Sequence, residues 1–541
     1  MNKLIKINTS LIVIASVLFC SSCKKVLSTN PGDVIAAQQY FNTESDLKAS
    51  LAGIYSSLSQ DGTYGRNLPL ELEMSNDEAH YNNRNNYSLI PSLYDCQAST
   101  KIYADCWTAL YQGIGRANLL LANIDKSAAS QNVKDLIRGE ALFLRGFIYF
   151  QLVTRFGDVP LILQPNTQVG NPNYVRTPSI EVYNRILTDM KAAEALVQEV
   201  TSINCGTRVS KTVVEGLLAR VYLKMAGHPL MMGAPAYDSA RNYALKVIFS
   251  GYHELNPSYQ QVFINHSQDL YDNTFRESMW EIEFYGNNTP QGTVPPGCRF
   301  ASQLAMRYTG SDPNAVYGYG SYMPSGVLYK MYTPDLAPDS DTLRRHWNIP
   351  EYYFDFTAND TNVPRQVRYY TAETKTFERE SGKWKRDLET FVPKQRDWGP
   401  TNFPILRYAD VLLMAAEAEN EVYGPTQTAV DEINLVRLRA FAQPLSLADV
   451  PSKEALRSFI QDERARELCF EGLRKFDLIR WGIFMDRMNF TKDLISSSDA
   501  TTSHKSRFLK PYTNVSSRDT LLPIPSIELS VNALMTQNPG W

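Results

Sequence analysis

Apolar residues recur at steps of three and four in several long stretches of the chain, which is the period of an amphipathic helix. The clearest stretch leads into Gly139–Ile162 and ends where Gly157 and Pro160 forbid continuation. Its apolar face is widened by three phenylalanines until most of the circumference is apolar, which predicts a buried helix. The residues of this face are Ile137, Ala141, Phe143, Leu144, Phe147, Ile148, Phe150 and Leu152.

Two arginines, Arg145 and Arg155, are the strong charges inside this apolar helix. A buried guanidinium needs an acidic partner or a route to water. We therefore expect Arg145 to pair with a carboxylate from another helix. Both arginines are interpreted as struts between helices and not as a site.

Similar periods predict further helices, and most of them come in pairs joined by short loops. Pairs of this kind stack in tetratricopeptide-like arrays, in which each pair buries its apolar face on the next. The sequence thus predicts a mostly α fold in which the helical hairpins belong to 23–255 and 405–541. The remaining predicted helices cover 45–58, 107–124, 180–197, 211–225, 237–250, 408–422, 428–438 and 453–472.

The segment 256–404 has another character and is predicted to be an irregular, loop-rich lobe inserted between the helical parts. It is rich in proline and carries a Gly-Tyr run over Tyr317–Tyr322. Gln366–Thr376 and Lys383–Val392 flank Ser381-Gly382, a turn signal, and could form a small β-hairpin.

The first residues have the composition of an export signal. Lys3 and Lys6 precede a short apolar run, Leu11–Phe19, which is followed by small residues and Cys23. The run is too short to span a bilayer comfortably. We predict a lipoprotein signal peptide over 1–22 with Cys23 as the lipidated first residue of the domain 23–541. An ordinary signal peptide with a nearby cysteine is the alternative.

Five cysteines follow the leader, so an exported chain keeps at least one unpaired thiol. Cys96 and Cys106 are close enough in sequence to pair, but the pairing stays open. No CxxC spacing predicts a metal site or a dense disulfide framework. The five are Cys96, Cys106, Cys205, Cys298 and Cys469.

Composition and motifs exclude several functions. The 541 residues are 43% hydrophobic and 21% charged, which is globular, and the net charge of −3 argues against nucleic acid as a partner. No HExxH, no GxSxG and no complete dinucleotide or calcium loop occurs, so no catalytic residue, metal or cofactor is predicted. The carboxylates of the late helices alternate with arginines, as in Glu463–Arg474, which favours a salt-bridge network. Asp341 and Arg344 are expected to form a local ion pair.

Two loop zones combine aromatic rings with amides and charges. One is Asp77–Tyr87, and the other comprises Tyr285–Asn288 and Tyr317–Tyr322. Sugars present flat C–H faces beside dense hydroxyls, so a sugar-binding surface needs aromatic planes together with donors and acceptors. The alternative is that Asn-rich loops are turns that satisfy their own backbone. The predicted ligand-binding residues are Asp77, His80, Tyr81, Arg84, Asn85, Tyr87, Asn287, Tyr317 and Tyr319.

Five segments, in this order along the chain, resemble the motifs of the SusD/RagB family of nutrient-uptake lipoproteins. The resemblance implies an α-helical fold with a tetratricopeptide-like half, and a lipid anchor on the outer face of the outer membrane. It also implies a SusC-like TonB-dependent transporter as partner. The segments are Phe156–Ile162, Glu277–Phe284, Ile405–Glu419, Glu463–Trp481 and Pro523–Gly540.

The resulting hypothesis is a non-enzymatic, cell-surface lipoprotein that captures an oligosaccharide and passes it to the transporter. A peptide-binding member of the same family is an alternative, because Tyr and Asn serve peptides equally well. A surface glycoside hydrolase is a third hypothesis. It needs two carboxyls facing one bond, and Asp77 with Glu78 is the one local candidate.

Overall fold

The protein is described here by a computed structural model. The predicted signal peptide, the lipidation site Cys23 and the predicted site residue Asn287 lie outside the described residues. These are 41–85, 87–165, 173–286, 297–310, 317–333, 341–355, 366–370, 375–392 and 394–541.

The described chain is mostly helical, as predicted. Before the middle segment come α1 (Glu44–Tyr55), α2 (Lys101–Asn123), α3 (Gln131–Phe156), α4 (Ser179–Glu194), α5 (Lys211–Ala226) and α6 (Ala234–Ser250). The middle segment has the shorter α7 (Tyr259–Gln268), α8 (Phe300–Leu304), α9 (Gly326–Met331) and α10 (Thr342–Asn348). The last part has α11 (Tyr408–Tyr423), α12 (Gln427–Arg439), α13 (Lys453–Leu468), α14 (Arg474–Arg480), α15 (Phe484–Ser497), α16 (Thr502–Asn514) and α17 (Ser526–Val531).

Neighbouring helices form one continuous row. Each helix from α1 to α6 packs on the next, and α6 then packs on α11, which in turn packs on α12. The row therefore continues across the long middle segment as if it were uninterrupted. This is the tetratricopeptide-like stacking predicted from the repeated helical period.

Helix α3 lies inside this row and is buried over most of its circumference, as its apolar pattern predicts. The hydroxyl of Ser130 accepts a hydrogen bond at its N-terminus, and Gly157 ends it with a φ of +70°. Arg145 Nε lies 2.8 Å from an oxygen of Asp189 on α4, which confirms the predicted partner from another helix. Arg155 pairs with Glu73 at 2.7 Å, so both arginines hold other segments against α3.

In the described ranges, six short strands form three antiparallel pairs: β1 (Ala79–Tyr81) with β3 (Tyr322–Pro324), β2 (Ser278–Ile282) with β6 (Phe403–Arg407), and β4 (Tyr352–Asp355) with β5 (Gln366–Tyr369). The prediction that 366–376 pairs with 383–392 is wrong, because β5 pairs with the upstream β4. The second segment is drawn inward instead: Lys383 is buried and donates to the carbonyl oxygens of Glu467 and Cys469 at 3.0 and 2.8 Å.

A buried network of arginines and carboxylates ties the late helices to the strands, as predicted. Its centre is Arg407, whose guanidinium lies 2.8 Å from Glu277, 3.0 Å from Glu467 and 2.7 Å from Glu471. Arg344 pairs with Asp341 at 2.5 Å, as expected, and reaches Glu463 and Glu467 as well. Arg145 is not part of this network, since its partner is Asp189.

The five cysteines of the described chain are all free. Cys96 and Cys106, the pair left open by sequence, form no disulfide, and both are buried. Burial raises the pKa of each of these thiols to about 12, so they behave as small apolar side chains.

Candidate functional site

The Asp77–Tyr87 zone and the Tyr317–Tyr322 part of the second predicted zone meet through the β1–β3 pair. Tyr81 is opposite Tyr322 in the register, and the next backbone N–H, that of Asn82, donates to the carbonyl of Ser321 at 2.8 Å. The Tyr81 and Tyr322 rings lie 5.4 Å apart at 62°. The loop after β1 is therefore held beside the loop that carries Tyr317 and Tyr319.

Arg84 fixes the distance between these loops. Its guanidinium donates to the carbonyl oxygens of Tyr319 at 3.2 Å and Gly320 at 3.1 Å, and it also pairs with Glu380 at 3.2 Å. Gly320 has a φ of +53°, where a side chain is disfavoured, and a Cβ there would lie 2.9 Å from the Arg307 side chain. Arg84 thus directs its hydrogen bonds to the protein and positions Tyr319.

Tyr317, Tyr319 and Arg396 form a half-exposed aromatic cluster. The two phenol rings lie 4.9 Å apart at 68°, and the Arg396 guanidinium lies 4.3 Å from the centre of the Tyr317 ring. Arg396 also donates to the Tyr317 hydroxyl at 3.1 Å, while the Tyr319 hydroxyl donates to the Asp397 carboxylate. Partial burial and this carboxylate raise the pKa of Tyr319, so the phenol stays protonated near neutral pH.

Trp398 follows Asp397 in the chain and contacts Arg299, which links it to the segment between α1 and α2. Arg299 lies 5.1 Å from the Trp398 ring and 3.5 Å from the Asp61 carboxylate. The backbone N–H of Arg299 donates to the carbonyl of Gly65 at 2.9 Å, which fixes this edge. We call the resulting face the tyrosine surface; it comprises Tyr81, Tyr87, Tyr317, Tyr319, Arg396, Asp397 and Trp398.

Two other predicted site residues are exposed on the loop after β1. Tyr87 is 53% exposed, and the Asn85 amide donates to its hydroxyl at 3.2 Å. Tyr81 is half-buried, and burial raises its pKa to about 12. Together these side chains present one aromatic plane and several polar atoms to solvent.

Asp77 and His80 have buried side chains, unlike the other predicted residues. Asp77 accepts hydrogen bonds from Arg474 at 2.7 and 2.8 Å and from Arg487 at 2.8 Å. Although burial opposes ionisation, these guanidiniums hold the pKa of Asp77 at about 2. The His80 ring packs 4.5 Å from Phe508, and burial lowers its pKa to about 3. Both side chains anchor the loop from beneath.

Sequence reasoning did not select Arg396, Asp397 or Trp398 as site residues. The signal that could have found them is a cation, an anion and an indole in succession before Gly399-Pro400. Gly399 forms an isolated antiparallel bridge with Cys298, which brings this segment beside Arg299. That bridge joins positions about a hundred residues apart, and no local sequence pattern predicts it.

The Asp77–Glu78 pair does not have the geometry of a hydrolytic site. The Asp77 carboxylate is committed to two arginines, and Glu78 is buried and accepts from the Phe470 N–H at 3.0 Å. Burial raises the pKa of Glu78 to about 8. In the described ranges, no cluster of three or more His, Cys, Asp or Glu side chains could hold a metal ion. Among the same residues, no helix has the length and hydropathy needed to span a bilayer.

Comparison with solved structures identifies the fold as that of SusD-like proteins. A SusD homolog from Bacteroides thetaiotaomicron superposes with a TM-score of 0.81 at 26% identity, covering 93% of this chain and 98% of the other. A laminarin-binding SusD-like protein superposes with a TM-score of 0.68 at 21% identity, covering 93% and 100% of the two chains.

Sequence comparison gives the same family. The SusD family profile matches residues 383–541, and a profile described as starch-binding associating with outer membrane matches 31–223. SusD-like protein P25 of Formosa agariphila is 27% identical over 98% of both chains. The starch-binding protein SusD of Bacteroides thetaiotaomicron is 24% identical, covering 84% of this chain and 81% of that one. The chain belongs to the SusD-like family.

Proposed function

We propose that the protein captures an oligosaccharide on the tyrosine surface without cleaving it, and delivers it to a SusC-like TonB-dependent transporter. The observation that carries this proposal is the arrangement of Tyr317, Tyr319 and Arg396, which places aromatic planes beside open donors and acceptors. Relatives support a glycan as ligand: one is named a starch-binding protein, one a laminarin-binding protein, and one structure holds a xylogluco-oligosaccharide.

The chemistry of the surface suits a neutral sugar chain. The tyrosine rings and the Trp398 indole can cover the C–H faces of pyranose rings, while phenol, guanidinium and carboxylate groups pair with hydroxyls. Arg396 is 62% exposed, so its remaining donors stay hydrated until a ligand replaces the water. A surface of this kind holds a ligand by shape and a few polar contacts; a hydrolase needs two carboxyls facing one bond, and the residues of the tyrosine surface supply one, Asp397.

Binding is tested with the chain lacking residues 1–23, by calorimetry and affinity gels against α-glucans, laminarin, xyloglucan oligosaccharides and mixed peptides. We expect at least one glycan to bind, no product to form, and Tyr317→Ala to weaken binding. Tyr423→Ala is the matched control, because Tyr423 is 59% exposed at the end of α11. Binding of peptides alone would favour the peptide-binding alternative, and glycan cleavage that Asp77→Asn abolishes would favour a hydrolase.

We further propose that Cys23 carries the lipid anchor and that the protein faces the cell exterior. The leader composition and the family description as outer-membrane associated support this location. The Cys23→Ala substitution, expressed in the native host, should release the protein from the outer-membrane fraction. Protease treatment of intact cells should degrade the wild-type protein if it faces outward, and co-purification under mild detergent should recover the transporter.

A further inference from the structure

A large cavity lies away from the tyrosine surface, among α3, α4, α5, the α14–α15 corner and the C-terminal segment. Its volume is about 720 Å³, within the range of roughly 300–1,000 Å³ that small-molecule sites occupy. None of its lining residues belongs to the tyrosine surface. Its walls are largely apolar and include Val153, Tyr183, Ile479, Phe484 and Leu521.

Lys224, on α5, lines this cavity and is 2% exposed. Its amine lies 5.3 Å from the centre of the Phe476 ring. Within the described part of the chain it donates no hydrogen bond and forms no ion pair with a carboxylate. A buried ammonium has three donors, and leaving all of them without an oxygen is costly.

The other buried lysines show how the protein satisfies such a group elsewhere. Lys383 donates to two carbonyl oxygens and pairs with Glu471 at 2.6 Å. Lys475, the residue directly before Phe476, donates to the carbonyl of Leu72 at 3.3 Å. Lys224 differs from both because no oxygen of the described residues accepts a hydrogen bond from its amine, and its side chain lines both this cavity and a neighbouring one of about 20 Å³ that also includes Glu73 and Phe476.

The charges around the Lys224 amine nearly balance. Arg480 and Arg155 oppose protonation, Glu73 and Asp477 favour it, and burial, the largest influence, lowers the pKa of Lys224 to about 7. Anything negative that enters the cavity would therefore stabilise the protonated amine.

The polar groups elsewhere on the wall restrict what can enter. The Arg176 guanidinium donates its hydrogen bonds to protein oxygens and is not free for a ligand. The acceptors are the carbonyls of Phe156, Asp158, Thr536 and Gln537 and the Asn538 side chain. Asp158 is held by the backbone and hydroxyl of Ser179, and it lines the cavity together with the exposed His228 and Asp486. These two carboxylates disfavour a second negative charge on a ligand.

We propose that the cavity binds a small monocarboxylate with an aliphatic or aromatic body, whose carboxylate accepts hydrogen bonds from the Lys224 amine. The body of the ligand lies against the apolar wall formed by Tyr183, Phe484 and Leu521. This site is independent of the proposed glycan surface, since the two share no residue.

The test is calorimetry of the chain lacking the signal peptide with benzoate, phenylacetate and hexanoate. Benzyl alcohol and 1-hexanol serve as neutral counterparts, and adipate carries two charges. We expect a monocarboxylate to bind at least about tenfold more tightly than its alcohol and than adipate, because only it pairs one charge with Lys224. Binding at pH 7 should take up part of a proton, seen as different heats in phosphate and Tris buffers.

Lys224→Met keeps most of the length of the side chain and removes the amine, so it should weaken binding at least about tenfold. Lys475→Met is the matched control and should leave the affinity unchanged, because the Lys475 amine donates to the carbonyl of Leu72. Leu521→Trp, which fills the cavity, is a second variant that should abolish binding even if Lys224→Met folds poorly. Equal binding by the alcohols, unchanged binding in both cavity variants, or no binding of any of the three acids would overturn the proposal.

Discussion

The buried network around Arg407 and the tyrosine surface both contain arginine and carboxylate side chains, but they use them in opposite ways. Arg407 is 1% exposed, and its guanidinium is shared among Glu277, Glu467 and Glu471. Arg396 is 62% exposed and lies over Tyr317. The difference shows that a charged side chain has capacity for a ligand only where the fold leaves some of its donors without a protein partner.

The same contrast occurs within one short stretch of sequence. Asp77 and His80 point into the protein, whereas Tyr81, Asn85 and Tyr87 reach the surface. Successive strand residues face opposite sides, so β1 buries His80 and partly exposes Tyr81. In the Asn- and Tyr-rich stretch, some side chains therefore hold the loop against the protein and the others are available at the surface.

Acid should break the network first, and this is the largest effect we expect. Against the penalty of burial, neighbouring arginines hold the pKa of Asp77, Asp410 and Glu467 at about 2 in the folded chain, below the ordinary values of 3.8 and 4.5. Their stabilisation is complete above about pH 5 and is lost as the pH falls towards 2. His80, kept neutral by burial, adds a loss that begins below about pH 6.5.

The measurement is the denaturant midpoint at pH 7, 5, 4 and 3. Glu78 has the opposite effect on stability. Burial raises its pKa to about 8, so its contribution should make the folded chain slightly more stable at pH 5 to 6 than at pH 8. A midpoint that stays constant down to pH 3 would show that the buried carboxylates are not ionised partners. The tyrosine surface has no part in this loss.

Arg407→Met should destabilise the protein by about 3–5 kcal/mol, since it leaves buried carboxylates short of a partner. The free energy of unfolding from chemical denaturation measures the change. Arg368→Met is the matched control, because Arg368 is 57% exposed in its pair with Asp355 and should cost at most about 1 kcal/mol. Equal effects of the two substitutions would remove the distinction between network and surface charges.

Tyr317→Ala should reverse that pattern, weakening glycan binding while leaving the unfolding free energy nearly unchanged. The loss of one stacking ring should cost about 1–2 kcal/mol of binding, or roughly five- to thirtyfold in affinity. Calorimetry with the glycan identified in the panel measures the affinity, and a melting curve checks the fold. A large drop in melting temperature with unchanged affinity would place Tyr317 with the structural residues.

The sequence predicts the helical row well because the apolar period of each helix, and the residues that end it, lie close together in the sequence. The apolar period of α3, its end at Gly157 and the need of Arg145 for a carboxylate are all readable from a few neighbouring residues. The partner Asp189 is not, since any acidic residue on a neighbouring helix could serve. The arginine-rich late helices predict a network, yet Arg474 pairs with Asp77, nearly four hundred positions away.

The candidate site is only partly readable for the same reason. Tyr317 and Tyr319 are conspicuous because aromatic residues and glycines alternate there. Arg396–Trp398 joins them through the bridge between Cys298 and Gly399, and β4 rather than the 383–392 segment takes β5 as its partner. Both pairings depend on long-range packing, about which propensity and periodicity carry no information.

Tyr319→Phe should give the smallest effect, and it separates the ring of the tyrosine surface from its hydroxyl. The substitution keeps the stacking plane and removes the hydrogen bond to Asp397, which also leaves that carboxylate free for a sugar hydroxyl. We expect affinity for the glycan to change by no more than about fivefold, because a partly exposed hydrogen bond contributes about 0.5–1 kcal/mol net. If calorimetry instead shows a loss as large as that of Tyr317→Ala, the hydroxyl and Asp397 hold the ligand, and hydrogen bonding rather than stacking governs recognition.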